Sequence, residues 1–409
     1  LYQYHTLPNG FKIVFRRSTS QVAYSGVYIN VGSRDESHAE EGIAHFIEHS
    51  IFKGTEHRRA YHILNRIDGV GGELNAFTTK EETCIYASSM AEHIERCIEL
   101  FSDVLFHSVF PVHEIENEKD VVIEEINSYR DQPADLIYDE FEELVFSGHP
   151  LAHNILGNKR NVKSFNPEFL HSFVSTNYTP NRMVLAVVGN IDFKKLVHLA
   201  EKYFGDYGIP SSVSTFRRSC ETSVSAKKFY KTINRRTHQV HILLGCPAPH
   251  LFDERKVAFS LLNNIIGGPA MNSRLNVAVR EKYGFCYTIE SQYVPFSDTG
   301  LFYIYAGVDT GTAERASDLI MRELAKLSSE TLSTIQLHAA QRQYIGQMAI
   351  NNDSALNEMQ SIGKAYLNYD RVDTIDDMAR DIMSLTASDI LSVAKTLLQP
   401  DNFSLLCYR

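Results

Sequence analysis

Gly42-Ile43-Ala44-His45-Phe46-Ile47-Glu48-His49-Ser50-Ile51 places His, Glu and His at i, i+3 and i+4 of what reads as one amphipathic helix. At about 100° per residue the three polar side chains share a face. Ile43, Phe46, Ile47 and Ser50 fall on the opposite side, so the triplet rides on a helix whose other face can be buried. Two neutral imidazoles one turn apart can bind one Zn²⁺, and a carboxylate between them can take a proton from water that the metal has acidified. The pattern is H-x-x-E-H, the inverse of H-E-x-x-H. Solvated helices are themselves rich in His and Glu, so the decision rests on a third ligand projecting from a second helix.

Residues 114–130 supply one. Glu118 and Glu125 lie seven apart and share a face, while Val121, Val122 and Ile126 give the same helix apolar footing. With this second helix in place, the chain resembles the pitrilysin-type zinc metallopeptidases, the inverzincins. The resemblance implies that Glu125, 76 residues beyond His49, completes a zinc site with His45 and His49. It implies further that Glu118 supports that site from behind, as metal sites generally require, and that Glu48 is the catalytic base. Glu124 is the competing ligand, but it points about 100° away from Glu125 and so leaves the face that holds Glu118. The bland reading of 114–130 is a charged surface helix.

Composition sets wider bounds. A chain of 409 residues with 44% hydrophobic residues can form two to three domains with large cores. No run approaches the roughly 18 apolar residues of a membrane span, so no membrane partner is expected. A net charge of −10 argues against a nucleic-acid partner, since binding phosphates needs concentrated Lys and Arg. The six cysteines, Cys84, Cys97, Cys220, Cys246, Cys286 and Cys407, show no C-x-x-C spacing. A reducing, cytoplasmic address is therefore the expectation. The opening Leu1-Tyr-Gln-Tyr-His-Thr-Leu-Pro-Asn-Gly10 lacks the marks of a signal peptide, although without a Met at position 1 a leader could have preceded it.

The chain reads as two halves of similar plan, 1–210 and 227–409, joined by a Gly-, Pro- and Ser-rich linker at 211–226. In the first half a strand at Val22–Val31 leads through polar residues to the motif helix. In the second, a strand at His238–Cys246 leads to a helix at Lys256–Ile266. Each half ends on a helix, a proline and a strand: Ser164 to Pro180 then Met183–Val188, and Thr386 to Pro400 then Phe403–Cys407. This self-similarity suggests duplication of an α+β unit, a mainly antiparallel sheet packed with helices. The two homologous halves of the pitrilysin-type fold match it. Ala258-Phe-Ser-Leu-Leu-Asn-Asn-Ile-Ile266 replaces the His-Glu-His triplet in the second half, so one Zn²⁺ per chain is expected.

Two further segments carry the resemblance. Arg280 and Tyr287, seven apart in Asn272–Tyr287, match an Arg-Tyr pair that faces the zinc across a chamber in that family. Such a pair can bind substrate carbonyls, with the phenol donating to a developing oxyanion. A surface Arg and a half-buried Tyr at a helix-to-strand turn is the alternative. Asn75, Ala76 and Phe77 sit in Gly71–Ala87, a glycine turn entering polar, β-prone sequence that reads as an edge strand. In the family an Asn-Ala-x-Thr segment pairs with the extended substrate; a strand supporting the zinc helix explains the same residues structurally. Among the other histidines no second ligand set is visible, and His57 is set apart from the motif helix by Gly54.

The resemblance covers nearly the whole chain. It implies a zinc-dependent endopeptidase acting on unfolded peptides inside a chamber closed by two copies of the chain, a homodimer. Mitochondrial processing peptidase and the double-length insulin-degrading enzymes are relatives. A Gly-rich recognition loop is not evident, which favours general peptide degradation over presequence processing. A non-catalytic scaffold of the same fold is the rival, and retention of all five motif residues argues against it. A structural zinc is disfavoured too, because closed sites usually use four ligands.

Overall fold

The computed structural model describes residues 1–208 and 226–409. The expected linker, apart from Ala226, and Cys220 lie outside the described residues. The first sheet and its helices comprise β1 (Tyr2–Thr6), β2 (Lys12–Arg17), β3 (Val22–Ile29), α1 (Ile43–Ser50), α2 (Ala60–Asp68), β4 (Glu73–Thr78), β5 (Thr83–Met90), α3 (Ile94–Phe106) and α4 (Val112–Arg130). Next come α5 (Pro133–Val145), α6 (Lys159–Ser164), α7 (Pro167–Asn177), β6 (Met183–Gly189) and α8 (Phe193–Phe204). The remainder contains β7 (Tyr230–Ile233), β8 (Val240–Ala248), α9 (Lys256–Gly267), β9 (Cys286–Pro295), β10 (Gly300–Val308) and α10 (Ala313–Ser329). It finishes with α11 (Thr334–Asn352), α12 (Ala355–Tyr369), α13 (Ile375–Ser384), α14 (Ala387–Leu397) and β11 (Ser404–Tyr408).

The duplication is written in the strand order. One sheet runs β1-β2-β6-β3-β5-β4 and the other β7-β11-β8-β10-β9. Without its edge strand β1, the first order becomes the second when each strand number is raised by five. Each sheet holds a single parallel pair, β2 with β6 and β7 with β11, and is otherwise antiparallel. The motif helix α1 and its counterpart α9 follow equivalent strands. The α+β class and the two-sheet plan are as expected.

Each sheet is covered on both faces, which explains why the inner strands β6 and β10 are buried along their whole length rather than at alternate residues. On the first sheet Ile13, Phe15, Val27 and Leu185 pack with Phe46 and Ile47 of α1 and with the helices beside it. From the opposite face, Val14, Tyr28, Val184 and Ala186 pack on Met359 and Ile362 of α12. The second sheet packs Ile242, Leu244, Phe302 and Ile304 with Leu261 and Leu262 of α9. Its other face packs Leu243, Tyr303 and Tyr408 on Ile137 and Phe141 of α5.

To the expected halves the compact units therefore add an exchange of helices. One unit combines Leu1–Asn127 and the described residues from His153 to 208 with Ile350–Asp373, which carries α12. The other combines Ser128–Ala152, carrying α5, with the described residues 226–349 and Thr374–Arg409. Two glycines permit the close approach. A Cβ at Gly363 of α12 would stand 2.5 Å from the Tyr28 ring, and one at Gly245 of β8 would stand 2.5 Å from Phe141 Cζ. Contacts that short do not occur, so any side chain there must push the helix off the sheet.

Candidate metal centre

The helix α1 starts where Gly42, at φ +94°, turns the chain through the left-handed region. No side chain at position 42 can cap it. Glu36 does so from six residues upstream, its buried carboxylate accepting from the Gly42 and Ala44 N–H groups at 2.9 Å each. Ile43, Ala44, Phe46 and Ile47 are fully buried, and Phe46 meets Phe165 edge-on at 5.3 Å. Ser50 is buried on the same side, as expected. This anchoring leaves His45, Glu48 and His49 along the remaining face.

In α4 the buried stripe is Ile115, Glu118, Val122 and Ile126. Val121, read from the sequence as apolar footing, is half exposed instead, one step round the helix from that stripe. Glu124 is exposed and accepts from Asn127 Nδ2 at 3.3 Å. Glu125 turns toward α1. Its Oε2 lies 3.4 Å from His49 Nε2 and 3.7 Å from His45 Nε2, and the two imidazole rings stand 4.6 Å apart. These three side chains form one of three groups, among the described residues, whose donor atoms converge closely enough to hold a metal ion.

The donor set fits Zn²⁺. Two nitrogens and one carboxylate oxygen at about 2.0–2.2 Å from a tetrahedral ion stand roughly 3.4 Å from one another. Glu125 Oε2 is buried with no hydrogen-bond partner, and it is the oxygen aimed at both imidazoles. An anionic acceptor facing two ring nitrogens without a hydrogen bond is a costly arrangement unless a cation lies between them. Behind the group, Glu118 accepts from His49 Nδ1 at 2.9 Å and pairs with Lys53 Nζ at 2.6 Å. That bond puts the proton of His49 on Nδ1 and leaves Nε2 for a metal.

Electrostatics separates the two histidines. Burial and then the charge of His49 press His45 down to about 4. Burial also acts against a charged His49, but the bond to Glu118 and the nearby charge of Glu125 outweigh it and lift His49 to about 9. The Glu125 carboxyl is lowered, chiefly by the proximity of His49. For Glu118, bonds from His49 and Lys53 overcome burial and lower the carboxyl. Burial raises Glu48, against the pull of the Thr78 hydroxyl and the charge of His49. Its Oε2 and Thr78 Oγ1 are both buried without a hydrogen bond, so Thr78 acts on Glu48 through proximity. A carboxyl raised in this way is a better proton acceptor and donor near neutral pH.

Asn75, Ala76 and Phe77 lie on β4, which packs beside α1 and ends its sheet. Only β5 pairs with β4, from Glu73↔Ser88 to Thr78↔Thr83. Its other edge therefore has backbone groups without a strand partner among the described residues. Asn75 Oδ1 accepts from the Ala76 N–H at 2.8 Å, and the Phe77 ring turns inward, 6.1 Å from Tyr28.

Arg280 and Tyr287 are described within their own unit. Arg280 lies in a π-helical turn, Asn276–Glu281, and Gly284 at φ +62° reverses the chain before β9. The guanidinium stands 5.8 Å from the Tyr287 ring, whose residue is 79% exposed at the start of β9. In place of a half-buried Tyr the structure thus shows an exposed phenol beside a cation, held on a helical irregularity of a kind frequent at functional sites.

Glu36, Lys53 and the environment of Thr78 escaped the sequence reading. Glu36 lies outside any helical period, and Lys53 falls beyond the last residue of α1. Nor do the other histidines lack ligand groups: His38, Glu41 and His153 converge, as do Glu56, His57 and His107. Loops more than 40 residues apart bring these together, which no local spacing reveals. The five described cysteines are free and buried. No helix among the described residues is long and apolar enough to cross a membrane.

Residues 12–159 match the family described as Insulinase (Peptidase family M16), and 164–344 match the Peptidase M16 inactive domain. An uncharacterized zinc protease of Bacillus subtilis is 32% identical over 401 residues, which cover 97% of this chain and 96% of that protein. One from Mycobacterium leprae is 33% identical, with 96% of this chain and 88% of that protein covered. The fold is similar to the crystal structure of a protease from Helicobacter pylori, with TM-score 0.92 and 21% identity over 100% of this chain and 99% of that one.

Proposed function

This chain belongs to peptidase family M16, and we propose that it is a zinc-dependent endopeptidase that hydrolyses unfolded peptides. The observation that carries the reading is the convergence of His45 Nε2, His49 Nε2 and the unpartnered Glu125 Oε2, with the raised carboxyl of Glu48 on the same helix face. His45, His49 and Glu125 would hold one Zn²⁺. Bound there, the ion supplies Lewis acidity toward a substrate carbonyl and toward water.

Glu48 takes the proton of the attacking water and hands it to the leaving amine. Glu118 keeps the His49 proton on Nδ1, and Lys53 holds Glu118 ionised. Asn75, Ala76 and Phe77 dock the substrate backbone along the open edge of β4, a mode that reads shape more than side chains. Arg280 and Tyr287 bind substrate carbonyls, Tyr287 donating to the oxyanion. Two chains close the chamber, and each supplies the Arg-Tyr pair to its partner's zinc. In the second half α9, the counterpart of α1, lacks His and Glu, and none of the candidate metal groups among the described residues lies there.

A short unstructured fluorogenic peptide and a stable globular protein, offered to the zinc-loaded chain, test the reading together. Cleavage of the peptide alone is expected. Cleavage within the compact folded protein would contradict the chamber, and no cleavage of any peptide would leave the scaffold alternative in its place.

A further inference from the structure

We propose a second cation site, built by His38, Glu41 and His153 and suited to Zn²⁺. The donor atoms of these residues all lie within 4.8 Å of one another. Glu41 Oε1 stands 2.9 Å from His38 Nδ1 and 3.7 Å from His153 Nε2, and the two rings are 5.3 Å apart. Those separations bracket the roughly 3.4 Å between ligands of a tetrahedral ion, as do the 3.4 and 3.7 Å of the His45, His49 and Glu125 group. Two imidazoles and one carboxylate are borderline donors. They suit zinc and its transition-metal neighbours rather than Mg²⁺ or Ca²⁺, which take oxygen ligands.

The arrangement has the outer support that distinguishes a site from a chance cluster. His153 is buried, and its Nδ1 donates to the Ser33 carbonyl at 3.3 Å. That bond leaves the lone pair on Nε2, the nitrogen that faces Glu41. Asn158 Nδ2 donates to Glu41 Oε2 at 3.1 Å, which turns Oε1 toward the two rings; there an ion would take the place of the 2.9 Å hydrogen bond between Oε1 and His38 Nδ1. The group of Glu56, His57 and His107 is less suited: none of its members is buried, and partners outside the group already engage it, Asp103 at His57 Nδ1 (2.6 Å) and Tyr207 at His107 Nε2 (2.6 Å).

Position gives the site a use. His38 and Glu41 lie in the segment between Glu36 and Gly42, the capping carboxylate and the first turn of α1. Gly157 packs so closely on Glu41 and Gly42 that a Cβ there would stand 2.4 Å from the Glu41 carbonyl oxygen. A cation shared by His38, Glu41 and His153 ties the loop before α1 to the loop at 153–158 and so fixes the start of the helix that carries His45 and His49.

The full chain, stripped with chelator and titrated with ZnCl₂, tests this by stoichiometry. His38→Ala, which alters an exposed side chain, should bind one zinc fewer than the parent, and His153→Ala should do the same. The double variant His45→Ala, His49→Ala should also lose one, and adding His38→Ala to it should remove another. In the double variant, zinc should protect His38 from modification by diethyl pyrocarbonate, read by mass spectrometry. An unchanged zinc count in His38→Ala, or no protection of His38, would overturn the proposal. If instead only the double variant kept the parent count, the reading of the first centre would fail and this one would stand.

Discussion

Replacing Glu118 by alanine removes two contacts and no metal ligand: the 2.9 Å bond from His49 Nδ1 and the 2.6 Å pair with Lys53. His49 then loses the group that fixes its ring and its tautomer. Loss of such an outer partner weakens metal binding by roughly 10- to 100-fold, equivalent to about 1.4–2.8 kcal/mol. The figure agrees with the roughly 1.5–3 kcal/mol carried by a hydrogen bond to a charged group. Lys53 is partly exposed and stays solvated, so no buried lone charge adds to the cost. The assay is zinc affinity by competition with a chromogenic chelator, in the wild type, Glu118→Ala and Glu124→Ala. The exposed Glu124 should change it less than twofold. If Glu118→Ala bound zinc as tightly as the wild type, or if Glu124→Ala were the weaker binder, the assignment of the supporting carboxylate would be refuted.

Other outcomes follow from the same geometry. With His49 raised to about 9, zinc must displace a proton from it at pH 7, so affinity should fall as pH is lowered below about 9. Calorimetry in buffers of different ionisation enthalpy should count about one proton released, and a count of zero would contradict the pairing with Glu118. Gly363→Val, which drives a side chain into the Tyr28 ring, should cost about 1–3 kcal/mol by urea unfolding, and an unchanged midpoint would show that α12 does not pack so closely. His45→Ala and Tyr287→Phe should each be nearly inactive, yet mixed under subunit exchange recover roughly a quarter of wild-type activity if pairing is random. No recovery, with exchange verified by mass spectrometry, would place the Arg-Tyr pair in cis or outside the reaction.

What the sequence disclosed depended on range. Within one helix the 3.6-residue period placed His45, Glu48 and His49 together and set Glu118 and Glu125 apart from Glu124, because side-chain direction there is fixed by local geometry. Strand β6 and the pairs β3–α1 and β8–α9 were legible for the same reason. The helix exchange was not, since an apolar strand reads alike whichever helix covers it, and nothing local sends α5 to one sheet and α12 to the other. Glu36 was missed because it caps α1 across a loop, and the gathering of His38, Glu41 and His153 because over 110 residues separate its parts. Val121 erred by a single helical step.

The most direct test of the whole account is Glu48→Gln, which keeps the size of the side chain and removes its capacity to accept a proton. Zinc content and peptide turnover should be measured on the same preparation. Zinc content should equal that of the wild type, and the rate should be lower by roughly 10²- to 10⁴-fold. Retention of most of the activity with the metal in place would contradict the role given to Glu48.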